Sequence, residues 1–355
     1  ILKLYRNLGL ERIEIKTATA GDIICVTGID GLSISDTLCD PQNIQPMRPL
    51  KVDEPTVGVS FCVNNSPFAG QSGKFVTSRN LSERLENELI HNVSLQVQAG
   101  NTADKFQVSG RGELHLAVLI ESMRREGFEI GISRPEVILR TINNIVCEPY
   151  EELVVECDSF NQGAVMEALG SRRGQLLSME TTDRVKLTYR IPSRGLIGFR
   201  SPFLTMTSGN GILNNTFDSY RKLQRGDIGN RSNGALISMV DGVTTAYSLY
   251  SLQERGRLLV GSGERVYEGM VIGIHSRAND LSVNPVKGKQ LTNFRSTGSD
   301  ESLVLNSPIR LSLEQALEFI DDDELVEVTP NEIRIRKKLL REVERKRLGR
   351  RKQSI

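Results

Sequence analysis

No Gly-Lys-Ser or Gly-Lys-Thr tripeptide occurs in the 355 residues. That absence removes the loop with which P-loop hydrolases hold nucleotide phosphates and Mg²⁺. No apolar run reaches the roughly eighteen residues of a membrane span. The opening ILKLYRNLGLERIEI lacks the basic, apolar and small-residue order of a secretory leader. A cytoplasmic chain that stays off membranes is therefore expected. It also lacks an initiating Met and opens in a strand-like pattern, so an N-terminal part of a longer protein is expected to precede it. The five cysteines, Cys25, Cys39, Cys62, Cys147 and Cys157, lie at least ten residues apart. This spacing excludes CxxC metal or redox pairs and gives no disulfide framework, and buried reduced thiols are expected. The scattered His91, His115 and His275 are read as structural residues, and no metal site is expected.

What is present is an ordinary soluble composition, 38% hydrophobic and 25% charged, long enough for about two to four domains. The net charge of +1 conceals segregation. Between residues 314 and 327 stand Glu314, Glu318, Asp321, Asp322, Asp323, Glu324 and Glu327, with no basic residue. From 331 to 355 eleven Lys/Arg face three Glu, a local balance of 11 − 3 = +8. Such a tail suits either a solvated end or a nucleic-acid contact.

Short alternating pieces punctuated by glycine over residues 12–39 predict small antiparallel strands, the end of a β-barrel. A linker with Pro41, Pro46, Pro49 and Pro55 follows. Next come the strand PTVGVSFCV, a helix with an Asn80/Glu83 capping box burying Leu81, Leu85 and Leu89, the strands VSLQVQ and KFQVSG, a second helix, and a strand. This β-α-β-β-α-β order is ferredoxin-like. It is repeated by YEELVVECD, QGAVMEALGSR, GQLLSMET, RVKLTYRIP, a helix in RGLIGFRSPFLTMTSG, and GILNNTFDSY. From Lys222 onward short glycine-rich strands predict a separate mostly-β domain with a long polar loop at 284–301. The fold class is thus α+β: a partial β-barrel, two tandem ferredoxin-like domains and a mostly-β C-terminal domain.

The stretch SGRGELHLAVLIESMRREGFEI poses a sharper question, since Gly110-Arg111-Gly112 before a helix could face a phosphate. A dinucleotide fingerprint needs a third glycine where His115 stands. A tight strand-to-helix turn is the expectation instead. Leu116, Leu119, Ile120 and Met123 form the buried face, Arg124, Arg125 and Glu126 point outward, and Gly127 stops the helix.

These motifs resemble the elongation factor G group of translational GTPases. Within that group PSRGLIGFRSPFLTMTSGNG, QERGRLLVGSGERVYEGMVIGIHSRANDLSVN, KGKQLTNFRSTGSDE and SLEQALEFIDDDELVEVTPNEIRIRK resemble the BipA/TypA family across the chain. The resemblance implies that residues 1–48 end domain II, 52–140 form domain III, 148–221 form domain V, and 222–355 form the family-specific C-terminal domain with its basic tail. The family's GTPase domain, which would hold GTP and Mg²⁺, has no counterpart here. The chain as given is expected to be no enzyme and to carry no cofactor.

The function implied is ribosome and RNA binding in translation and ribosome assembly under stress. The expected partners are ribosomal RNA, A-site transfer RNA and ribosomal proteins, and the expected state is a monomer. Guanidinium and ammonium groups on loops suit phosphates and 2′-hydroxyls. The candidates are Arg172 and Arg173 after a helix, Arg194 and Arg200 flanking the next, and Lys287, Lys289, Asn293, Phe294 and Arg295 in the polar loop. Phe294 beside Arg295 adds a stacking surface. A tandem ferredoxin-like effector-binding module is the alternative, and so is another elongation-factor-like GTPase such as LepA, against which the KGKQLTNFRSTGSDE loop argues.

Overall fold

The computed structural model describes every residue except 30, 31, 33, 50–54, 182, 225, 227, 229, 230, 232, 289–303 and 354–355, and side chains are not described at 351–353. The chain divides into two compact units, Ile1–Val52 and Asp53–Ile355.

The first unit is a three-stranded antiparallel sheet in which Lys3–Leu8 lies between Glu11–Ile15 and Ile24–Thr27. None of its described residues is buried, and Leu10 and Ile23 are almost wholly exposed. Cys25 and Cys39 are half-buried, whereas Cys62, Cys147 and Cys157 are buried, and all five are free. The expectation of buried thiols is corrected at the first two, because the described residues of this unit form no second layer to cover them.

The second unit opens with a ferredoxin-like module. Its strands Val57–Val63, Gln96–Ala99, Lys105–Gly110 and Ile130–Ile132 pair in the order fourth, first, third, second. Helices Ser78–His91 and Glu113–Glu126 complete the module. The first helix is capped by Thr77, whose side chain accepts from the Asn80 N–H. The Asn80/Glu83 capping box is therefore corrected, since a Thr three positions earlier already supplies the oxygen that the first turn lacks. Leu81 and Leu85 are buried, but Leu89, at 38% exposure, lies beyond the edge of the core. The second helix buries Leu116, Leu119, Ile120 and Met123 as its 3.6-residue period requires, and Gly127 ends it at φ 102°.

The same strand order recurs in Ile145–Cys157, Gln175–Thr181, Val185–Pro192 and Ile212–Lys222. This second module has its own core, including Leu153, Val155, Leu187, Ile191 and Phe203, beneath the helix Gln162–Ser171. Two short helices, Ser193–Leu196 and Arg200–Met206, replace the single one expected. Between them Gly198 takes φ 66°, a conformation that ends the first helix.

The segments 52–140 and 222–355, separable in sequence, share one continuous sheet. Val326, Glu327 and Val328 pair with Ile132, Gly131 and Ile130. The sheet continues through Ile333–Lys337 and Met270–His275 to Ala235–Ser238 and Leu281–Val283. Gly131 is required at the join, because a Cβ there would sit 2.7 Å from Cys62 Sγ. One core spans both segments, joining Leu119 and Ile120 to Ala316 and Leu317 of the helix Leu313–Phe319 and to Ile320 just after it. Ser312 and Gln315 cap that helix reciprocally. No described helix is long and apolar enough to cross a membrane.

Candidate nucleic-acid interface

Glu113 answers what the GRGELHL turn does. It stands in the first turn of its helix, and its carboxylate accepts from the Gly198 N–H at 3.2 Å. The turn therefore docks the second module. Ser201 Oγ donates to Glu318 Oε1 at 3.0 Å, which adds the helix Leu313–Phe319 to the same junction. Burial pushes the Glu113 carboxyl up to about 7; the Gly198 N–H opposes this, Glu318 and Glu314 add to it, and Arg172 opposes it. Burial likewise raises Glu318. The turn does not fit a nucleotide phosphate. The Arg111 N–H points at His115 Nδ1 (3.4 Å), and the Glu113 carboxylate sits in the first turn, where an anion would bind.

Three of the four candidate arginines of the second module bond to its own loops. Arg172 donates to the carbonyls of Gly195 (2.8 Å), Ile197 (3.0 Å) and Gly198 (3.3 Å), and stacks 5.2 Å over Phe199. Its planar fork holds the RGLIGFR turn in shape. Arg194 pairs with the wholly buried Glu148 at 2.6 Å and donates to the carbonyls of Gly226 (2.8 Å) and Gln224. Arg173, at φ 64°, donates to Gln224 Oε1. These three tie loops together. Arg200 differs: it is exposed and makes no hydrogen bond or ion pair among the described residues. Lys287 is also exposed and lies in the segment after the strand Leu281–Val283, where its carbonyl accepts from Thr245 at 2.7 Å. Lys289, Asn293, Phe294 and Arg295 lie outside the described residues.

A cleft of about 780 Å³ adjoins the junction, lined in part by Arg134, Arg194, Arg231 and Arg257. Most of its charge is already matched. Arg134 faces Asp321 (3.3 Å) and Asp322 (3.2 Å), and Arg231 faces Glu324 (2.7 Å) and Asp280 (3.1 Å). Of the acidic run, prominent in sequence, Glu324 and Glu327 are buried, whereas Glu314, Asp322 and Asp323 stay exposed. Glu324 and Lys337, both buried, pair at 2.9 Å. Glu327 accepts from Tyr267 (2.7 Å), Ser66 (2.7 Å) and Asn64 (3.0 Å). Beside it Glu129 accepts the N–H groups of Gly70 (2.7 Å), Ser72 (2.8 Å) and Gly73 (2.6 Å). Burial opposes ionisation of Glu129, but these donors outweigh it and hold the carboxyl below its usual range. Neither clamp was read from sequence; the one available signal was a pair of acids, Glu324 and Glu327, within an otherwise apolar strand pattern.

Two ferredoxin-like modules and a C-terminal segment that extends the first module's sheet make up residues 55–342, and the sequence comparisons give their class. Residues 145–229 match the elongation factor G C-terminus, and residues 233–342 match the TypA/BipA C-terminal domain. The chain is 57% identical over 98% of its length to the "Large ribosomal subunit assembly factor BipA" of Salmonella typhimurium. It is 56% identical over 97% to that of Haemophilus influenzae, and 52% over 99% to that of Buchnera aphidicola. It spans 58%, 56% and 58% of those relatives' lengths. The chain belongs to the BipA/TypA family of elongation-factor-G-like proteins.

Proposed function

We propose that this chain is the ribosome-binding, RNA-contacting portion of a translational GTPase acting in large-subunit assembly and translation, in the cytoplasm and under stress. The observation that carries the reading is the 57% identity across 98% of the chain to a large ribosomal subunit assembly factor. GTP and Mg²⁺ belong to the further length of the relatives, since the Gly110–Arg111–Gly112 turn does not fit a phosphate. The chain acts as a monomer with ribosomal RNA, A-site transfer RNA and ribosomal proteins as partners. Direct RNA contact falls to Arg200, Lys287 and the stretch Lys289, Asn293, Phe294 and Arg295. Arg172, Arg173 and Arg194 hold loops of the second module in shape.

Co-sedimentation with large ribosomal subunits tests this. Affinity should fall steeply between about 50 and 200 mM salt, as counterion release requires. Changing Lys289 and Arg295 together to Ala should weaken binding at least about tenfold, roughly 1.4 kcal/mol. A salt-independent affinity would point to protein contacts, and unchanged binding by the double variant would remove the loop from the interface.

A further inference from the structure

We propose that the C-terminal helix, Glu342–Gln353, docks on the phosphate backbone of double-helical RNA. The helix lies beyond the matched C-terminal domain, which ends at residue 342. Its segment 341–353 holds Arg341, Arg345, Lys346, Arg347, Arg350, Arg351 and Lys352 against Glu342 and Glu344, a balance of 7 − 2 = +5. With a whole-chain charge of +1, the remaining residues sum to 1 − 5 = −4. The chain's net positive charge thus resides in this one segment.

The root of the helix is fixed. The Glu342 N–H donates to Glu268 Oε1 at 2.9 Å, and Arg345 donates to the carbonyls of Leu339 (2.9 Å) and Leu340. Leu340 packs so closely on Gly269 that a Cβ there would meet the Leu340 Cα at 2.7 Å. Beyond the root, residues 346–350 are all exposed. The element stays helical without a buried face because Glu342 and Lys346 pair at 2.8 Å, one turn apart, with acids in the first turn and cations after them.

Helical geometry places Lys346, Arg347 and Arg350 within an arc of about 100°, with Lys346 and Arg350 roughly 6 Å apart along the axis. A polyanion of regular spacing suits this stripe. Val343 and Leu348, both exposed, stand about 140° apart, so the helix has no apolar face with which to enter a lipid surface. The choice of RNA as the polyanion rests on the ribosome reading; the assignment of the helix as the docking element does not.

The test is fluorescence anisotropy of an RNA duplex of about 20 base pairs, titrated with the full chain between about 50 and 200 mM KCl. The triple variant K346Q/R347Q/R350Q keeps helix-forming side chains and should lose at least tenfold in affinity. The slope of log affinity against log salt should shrink by about 2 to 3. The charge-retaining K346R/R347K/R350K should keep both values, and neither variant should shift the melting temperature by more than a degree or two. An unchanged slope in the Gln variant, or no RNA affinity in the parent chain, overturns the proposal. Displacement of the duplex by poly-glutamate at equal charge concentration overturns it in favour of an acidic protein partner. Sedimentation with large subunits is a separate arm: duplex binding without sedimentation supports the helix assignment and fails the ribosome reading.

Discussion

Replacing Glu113 with Gln should stabilise the protein at pH 8 and leave it almost unchanged near pH 4.5. The carboxyl is raised from 4.5 to about 7 in the folded chain, first by burial and then by Glu318 and Glu314, against the Gly198 N–H and Arg172. The folded state therefore holds this proton more tightly than the unfolded state. The stabilisation is complete below about pH 4.5 and is lost as pH rises through about 7. At about 1.4 kcal/mol per unit the gap amounts to roughly 3 kcal/mol. Partial exposure of the side chain brings the expected effect to about 1–2 kcal/mol. Gln keeps an oxygen for the Gly198 N–H and removes the titration. Thermal unfolding of parent and variant at pH 5, 6, 7 and 8 measures this. The melting temperature of the variant should rise above that of the parent progressively from pH 5 to 8. A variant that melts lower than the parent at pH 8, or a difference that does not grow with pH, would refute the argument.

Glu129→Gln should act in the opposite sense. It replaces an acceptor of three N–H groups with a side chain that carries its own donors, costing about 2–4 kcal/mol at neutral pH. That loss should fade in acid, as the parent carboxyl protonates below its usual range, and hydrogen exchange at residues 70–73 would report it. Arg172→Lys should cost about 1.5–3 kcal/mol by breaking the fork to three carbonyls. It should leave the salt dependence of ribosome binding unchanged; a shallower dependence in co-sedimentation would return Arg172 to the RNA surface.

The local elements were legible wherever a short-range pattern sufficed. The helix Glu113–Glu126 shows its buried face through period alone, and Gly127 marks its end. Both ferredoxin-like modules follow from the order of their elements. The continuous sheet was not legible, because the pairing of Val326–Val328 with Ile130–Ile132 joins residues distant in sequence. The same limit hid the fate of the acidic run. Burial of Glu324 and Glu327 depends on Arg231, Lys337, Tyr267 and Ser66 arriving from other elements. At the candidate interface, residue type identified the cations but not their direction. Arg172 and Arg200 look alike in sequence, yet one is turned in to its own backbone and the other faces solvent.

The strand pairing at Gly131 also has a mechanical consequence. Backbone ladders resist shear far better than side-chain contacts do, because several hydrogen bonds must break together. Displacing residues 55–140 against residues 233–342 would open both the ladder and the core beneath it, so a push on one is delivered to the other as translation rather than absorbed as bending. The second module, with a core of its own, meets Glu113 and Glu318 through polar contacts. Among the described residues, a tilt of the second module would break these polar contacts and leave both the ladder and the cores intact.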